Sequence, residues 1–395
     1  MSTQISFFPV ANGDMTLIEL DDKDQTKILI DLNIRDAADD DGDPTFDAAT
    51  ELRRRLRKDK NGRPYVDVFL QTHPDQDHLN GLMKHFHLGS VDDYTEPKDD
   101  DEPKIIIHEI WSSPVVWRRA DRRTGHTLCE DAKAFNTEAK RRANLFRDRK
   151  KIGEAGDRIR IIGKDENGKT DDLEAILVEV DKTFTKVNER ETGMIEVYVL
   201  GPLPPMQDEE EEDRLAKNRS SVILQFRIAA QPGQTKTNLF LCGGDAEVAI
   251  WKELWSKHKN DPTPLRYDIL LTPHHCSWHS LSEDSWKDSA DPKVNPDARS
   301  ALSQTCSNAK LVASSKPIKD DDNDPPCWGA KREYEAIAKT AGGSFLCTGE
   351  YPNASDPQPI EIRLTSAGPQ MGAKRAPNLT MTAGIAAAST PKAHG

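Results

Sequence analysis

In the stretch from Gln71 to Gly81, QTHPDQDHLNG, four side chains able to hold a metal ion fall within six residues: His73, Asp75, Asp77 and His78. Imidazole with carboxylate suits zinc, iron or manganese, and the high carboxylate share tilts the choice towards manganese, iron or magnesium. The competing structural use is local, with Asp77 capping a helix that starts near His78. Three other segments carry the same residue types. Asp31 closes the apolar run KILI, Asp245 follows two glycines in CGGDAE, and His274, His275 and His279 crowd the segment PHHCSWHS.

Each of these sites follows an apolar run, and strand C-termini are where ligands gather in layered α/β proteins. YVDVFLQT reads as a buried strand delivering His73 to His78. NLFLC delivers Asp245, and YDILLT delivers the histidine loop. The two glycines before Asp245 let backbone come close to a ligand. The chain opens with ISFFPV, MTLIEL and KILIDL, a β-meander joined by tight turns. ATELRRRLRKD and LNGLMKHFHL read as helices, IIIHEIW as a strand, and AKAFNTEAKRRANLFRDRKK as a helix with a strongly basic face. RIRIIG, AILVEV and IEVYVLG read as strands, and SSVILQFRI with TNLFLCGGD as a hairpin through Pro232-Gly233. VAIWKELWSKH and GAKREYEAIAKT are helical, KLVAS is a strand, and GSFLC with PIEIRLT forms a last strand pair.

The charge balance, 54 Lys and Arg against 67 Asp and Glu, gives a net charge of −13. Such a chain repels a polyanion at long range, so any nucleic-acid chemistry needs local basic patches or bound cations. The runs at 92–104 and 207–213 read as exposed acidic loops. The six cysteines lack the spacing of a disulfide scaffold or zinc ribbon. No apolar run approaches the length of a membrane span and no signal peptide opens the chain, so the expectation is a cytoplasmic protein without a membrane partner.

Taken in order, the motifs resemble the metallo-β-lactamase fold superfamily, whose hallmark His-x-His-x-Asp-His here reads His-x-Asp-x-Asp-His. That variant resembles the nuclease-like domain of ComEC-type competence proteins and their stand-alone relatives. The family's Gly-Asp before a strand is matched by NGDMTLIEL and its Leu-Ile-Asp by LIDLN. Its Asn-x-x-Ser is matched by Asn218 and Ser221, its Gly-Asp-Ala-Glu by Gly244 to Glu247, and its His-His-Gly-Ser by His274 to Ser277. The resemblance implies an α/β fold, a four-layer αββα sandwich, over residues 1–367. An insertion falls at about 91–215, between the metal motifs, and residues 368–395 form a disordered tail.

It also implies two divalent metal ions, zinc or manganese with magnesium as a further option. Asp77, His78 and one of His274 and His275, with His275 favoured, hold one ion. His73 and Asp75 hold the other, and Asp245 bridges. Asp31, Asn218 and Ser221 support these ligands from behind. Asp77, Asp75 and His275 are the candidate catalytic residues, with an Asp of the loop accepting a proton from water. Three departures stand out: Cys276 replaces a Gly and puts a soft ligand or a tighter loop beside the metals, the late loop at Asn323 lacks a His, and no His lies between His126 and His258.

The expected function is metal-dependent hydrolysis, with a nuclease or other phosphodiesterase acting on DNA as the leading reading. The alternatives are a hydrolase of a small ester, lactone or cyclic nucleotide, and a binding module with a degenerate site. Arg118, Arg119, Arg141 and Arg142 are candidate nucleic-acid contacts, against the plainer reading of a helix face paired with acidic loops.

Overall fold

A computed structural model describes residues 2–40, 42–98, 102–114, 116, 128–165, 168–203 and 220–372. Among them the fold is mixed α/β and is organised around two large sheets. The first begins with the expected meander: β1 (Gln4–Phe7), β2 (Thr16–Glu19) and β3 (Lys27–Ile30) pair antiparallel. It continues in parallel through β4 (Pro64–Leu70), β5 (Ile105–Ser112) and β6 (Arg158–Ile162). The second sheet runs antiparallel through β7 (Ile195–Val199), β8 (Leu224–Ala229) and β9 (Lys236–Cys242). It then turns parallel through β10 (Tyr267–Leu271), β11 (Thr305–Ala313) and β12 (Ser344–Cys347).

The two sheets therefore repeat one plan. β3 and β9 each lie antiparallel to the preceding strand and parallel to the next, β4 and β10, so their C-terminal ends fall on the same edge. Every residue of β4 and β10 is buried, as expected of parallel strands covered on both faces. One apolar core draws on both sheets together with α1 (Ala48–Arg55) and α2 (Glu130–Arg149). A second core lies between the other face of the second sheet and α3 (Val248–His258), α4 (Pro296–Leu302) and α5 (Trp328–Thr340).

Several expectations change. The segment 91–215 supplies strands to both sheets: β5 and β6 extend the first, and β7 belongs to the second. LNGLMKHFHL makes only one helical turn, Leu82–His85, and Phe86–His87 then pairs with β5. Gly81 sits at φ +90, outside helical backbone, and the Asp131 carboxylate of α2 accepts from the Gly81 and Met83 N–H groups. AILVEV keeps only a two-residue strand, Leu177–Val178, parallel to β6, because a 3-10 turn over Asp171–Ile176 takes up its first two residues.

GSFLC and PIEIRLT are not partners. The first is β12, whereas the second, β13 (Ile360–Thr365), returns to pair with β1. Nor does the tail begin at 368: β14 (Gly368–Met371) pairs with β13 through a tight turn, and the chain from 373 on lies outside the described residues. No described helix is long and apolar enough to cross a membrane.

Candidate metal centre

Asp31 follows β3 directly and takes a left-handed backbone conformation at φ +52. That turn aims its carboxylate across the end of β4. Asp31 Oδ1 accepts from the Thr72 N–H at 2.8 Å, while Oδ2 accepts from Thr72 Oγ1 at 2.5 Å and from His78 Nδ1 at 2.8 Å. Thr72 Oγ1, having given its proton to Asp31, accepts in turn from His73 Nδ1 at 3.1 Å. The network thus places a ring proton on Nδ1 of both histidines and turns both Nε2 atoms inward, where their lone pairs can bind a metal once any second proton is lost. Orientation of a ligating imidazole by a carboxylate behind it is a common arrangement at metal sites.

The two Nε2 atoms meet Asp245. His73 Nε2 lies 3.3 Å from its Oδ2 and His78 Nε2 3.2 Å from its Oδ1. Asp245 reaches this point because Gly243 and Gly244 turn the chain sharply after β9. A Cβ on Gly244, at φ +50, would stand 2.9 Å from Thr72 Oγ1. The histidine loop arrives from β10, held by the His274 N–H donating to the Gly244 carbonyl at 3.1 Å. His274, His275 and Cys276 all have left-handed backbone, which bends the loop over the sheet edge. His274 Nε2 is 3.6 Å from Asp245 Oδ2, and His275 Nε2 is 3.7 Å from Oδ1 and 3.1 Å from His78 Nε2.

Two buried groups of donor atoms result, each drawn within 4.8 Å: Asp14, His78, Asp245 and His275 in one, Asp31, His73 and His78 in the other. These groups can hold a metal ion. Of the two adjacent histidines, His275 belongs to the first group; His274, partly exposed, faces the other oxygen of Asp245. Asp75 enters neither group: it is half-buried at the start of the 3-10 turn Gln76–His78. Asp77 lies within that turn rather than capping a helix. Its side chain is 38% exposed, with Oδ2 3.3 Å from His275 Nε2 at the rim of the cluster.

Asp14 is the ligand candidate that the sequence reading overlooked. Its carboxylate lies 3.4 Å from His275 Nδ1 and 4.0 Å from His78 Nδ1. The available signal was the Gly13-Asp14 pair before β2, read only as a family match. Gly13 is needed for close approach: a Cβ there, at φ +140, would stand 2.1 Å from Asn33 Nδ2 and 2.6 Å from the Asp77 carbonyl oxygen.

Two observations test whether a cation suits this set. First, Asp14 Oδ1, His73 Nε2, Asp245 Oδ1 and His275 Nδ1 are buried and have no hydrogen-bond partner. Such orphans are rare unless a further species satisfies them. Second, Asp14, Asp31 and Asp245 are buried carboxylates whose ion-pair partners, among the described residues, are histidines alone. Charge so buried demands a compensating cation.

The titration directions express the same demand. Burial pulls the His78 pKa down, but Asp245 and Asp31 prevail and hold it well above the ordinary histidine value. Burial also lowers His275, and Asp245, Asp14 and Asp77 prevail to raise it to about 10. Burial raises the Asp245 carboxyl, yet the four surrounding histidines hold it well below the usual range. The same contest, decided by His275 and His78, holds Asp77 low. Protons on the histidines thus take the place of positive charge that the carboxylates require.

The remaining expected residues divide clearly. Ser221 is buried beside Gly244, with its Oγ unpartnered. Asn218, Arg118 and Arg119 lie outside the described residues. Cys276 joins the second apolar core with Cys327 and Cys347, and neither donor group includes it, so the soft-ligand expectation fails. Arg141 and Arg142 are not an outward basic patch. Arg142, 1% exposed, pairs with Glu138 and donates to the carbonyls of Ile107 and Arg158, while Arg141 pairs with Glu138 and Asp157. The helix that carries them packs on β6, and that burial turns their charge inward. Compared with known proteins, the chain matches no family model and no curated protein.

Proposed function

We propose that this protein is a metal-dependent hydrolase, a phosphodiesterase with DNA as its leading substrate, of the metallo-β-lactamase fold and related to the ComEC-type nuclease-like domain. The observation that carries the reading is the convergence of unpartnered buried ligand atoms from three strand ends, β4, β9 and β10, together with Asp14, on a site that Asp31 at the end of β3 orients. The helix-covered pair of sheets with a shared core supports the four-layer αββα reading. His73, His78, Asp245, His274, His275 and Asp14 are the residues that would hold two divalent cations, zinc, manganese or magnesium. Such ions lower the pKa of a water and neutralise charge on a phosphoryl group.

The chain's own residues supply the rest. Asp31 and Thr72 fix His73 and His78 so that ligand geometry needs no reorganisation during turnover. Asp77 stands at the rim, open to solvent, and is the base that takes the proton of the attacking water. Burial raises its pKa, but the hydrogen bond to His275 and the charges of His78 and His275 prevail and hold the carboxyl low, so it stands ionised and able to accept. The water oxygen bonds to phosphorus, the phosphorus–oxygen bond to the leaving alcohol breaks, and the proton passes to Asp77.

The test is cleavage of labelled DNA and RNA with added manganese by wild type, Asp77→Ala and His78→Ala. Both variants should lose activity, and activity surviving in both would overturn the proposal. The inward pairing of Arg141 and Arg142 favours a second reading, in which the substrate is a small ester, lactone or cyclic nucleotide. A panel of small phosphodiesters and lactones, run beside DNA, separates the two. Purified protein without stoichiometric metal would instead support a binding module.

A further inference from the structure

Hydrolysis of a diester of an ordinary alcohol leaves a poor leaving group, so a proton donor on the departing oxygen contributes about 10²–10⁴-fold. The histidines inside the centre cannot serve. His73 and His78 give their Nδ1 protons to Thr72 and Asp31, while His274 and His275 face Asp245. His279 is different: its side chain is 45% exposed, and it belongs to the loop that carries His274 and His275. That loop folds back on itself. The Ser277 N–H donates to the His274 carbonyl at 2.9 Å, and the His279 N–H to Ser277 Oγ at 3.1 Å.

Opposite His279 stands Asp324, only 9% exposed in its side chain. Its Oδ1 accepts from the Trp278 N–H at 3.0 Å. Its Oδ2 is buried without a hydrogen-bond partner and lies 3.7 Å from His279 Nε2. Asp324 is the one charged group within ion-pair distance of His279 among the described residues. The segment holding Asp324 is fastened to both loops that supply ligands. Asn12 Nδ2 donates to the Pro325 carbonyl at 2.9 Å, two residues from Asp14, and the Cys327 N–H donates to the Cys276 carbonyl at 3.0 Å. His279 and Asp324 therefore meet where residues 324–327 are tied to the Asn12–Asp14 loop and to the histidine loop, the two segments that carry Asp14, His274 and His275.

We infer that His279 is the proton donor to the leaving oxygen and that Asp324 is its positioning residue; the inference rests on the phosphodiesterase reading above. The Asp324 carboxylate faces Nε2–H of the His279 imidazolium and leaves that proton on the ring, which turns Nδ1–H outward. As the phosphorus–oxygen bond breaks, its electron pair takes the Nδ1 proton, so the alcohol leaves neutral and His279 becomes neutral imidazole. The water proton held by Asp77 and solvent exchange restore the starting state. The substrate class that needs this device is a phosphodiester of a weakly acidic alcohol, such as a nucleoside.

The test compares two diesters on manganese-loaded enzyme: dithymidine phosphate, which needs a donor, and bis(4-nitrophenyl) phosphate, whose phenolate leaves unaided. His279→Gln should lower kcat on the dinucleotide about 10²-fold or more and on the aryl diester by less than about threefold. Asp324→Asn should show the same selectivity to a smaller extent. Metal content and melting temperature should match wild type. Equal losses on both substrates, or no loss on either, would overturn the inference. Nitrogen-15 spectra supply a readout independent of turnover: in the neutral form of His279 the one ring proton should reside on Nε2 in wild type and redistribute in Asp324→Asn. An unchanged tautomer would remove Asp324 from its assigned role. A wild type that turns over neither diester would overturn the phosphodiesterase reading itself, and this inference with it.

Discussion

At the scale of single residues, Asp31 orients the most of the centre. It ties Thr72 and His78 directly, and His73 through Thr72, so one carboxylate orients two imidazoles. Asp31→Asn should lower metal affinity about 10–100-fold while leaving stoichiometry at saturation intact, as read by chelator competition. Asp245→Ala, which removes the acid shared by four histidines, should abolish stoichiometric metal in elemental analysis. The raised pKa values of His78 and His275 also set a pH dependence. A histidine whose folded pKa is raised stabilises the fold below its unfolded pKa, and that stability is lost as pH rises through the folded value, about 10 for His275. Metal binding must displace these protons, so affinity for manganese should climb from pH 6 to pH 9, with proton release. Calorimetry in buffers of different ionisation enthalpy would detect that release, and its absence would count against the histidines as ligands.

Among the elements, the turns matter as much as the strands. Gly13 lets the loop before β2 cross the His73–His78 loop, and no side chain fits there. Gly13→Ala should cost about 2 kcal/mol or more by combining positive φ with backbone overlap. It should weaken metal binding at the same time, because Asp14 and the Asp77 carbonyl share that crossing. Helix α2 shows how a basic stripe misleads: Arg142 is a buried strut between Glu138 and the carbonyls of β5 and β6. Arg142→Ala should destabilise by about 1–3 kcal/mol, since it removes the donor to the Ile107 and Arg158 carbonyls and leaves Glu138 with Arg141 as its one arginine partner. Chemical denaturation measures that loss, and a change confined to DNA affinity would contradict it.

For the molecule as a whole, a net charge of −13 and internally paired arginines leave little long-range attraction for a polyanion. If DNA is the substrate, its binding should depend on divalent cation far more than on monovalent salt. With about one or two phosphates neutralised by protein cations, the slope of log K against log salt should stay near −1 to −2. A slope steeper than about −5 would mean an extensive basic surface contributed by residues such as Arg118 and Arg119.

The sequence alone determined the local facts: which runs are buried strands, and that metal-type ligands stand at the ends of four of them. Those follow from short-range patterning, since a strand covered on both faces must be apolar throughout and a turn must follow it. The tertiary structure decided which of those ligands meet. His78 and His275 lie 197 positions apart and still come within 3.1 Å, because β4 and β10 end on matching edges of two sheets with the same plan. Asp14 joined the centre and Asp75 stayed half-buried outside both donor groups. No periodicity separates those two carboxylates; the crossing of loops at Gly13 does. The direction of Arg141 and Arg142 was equally unreadable, because a charged stripe on a helix looks the same whether it faces solvent or a buried glutamate.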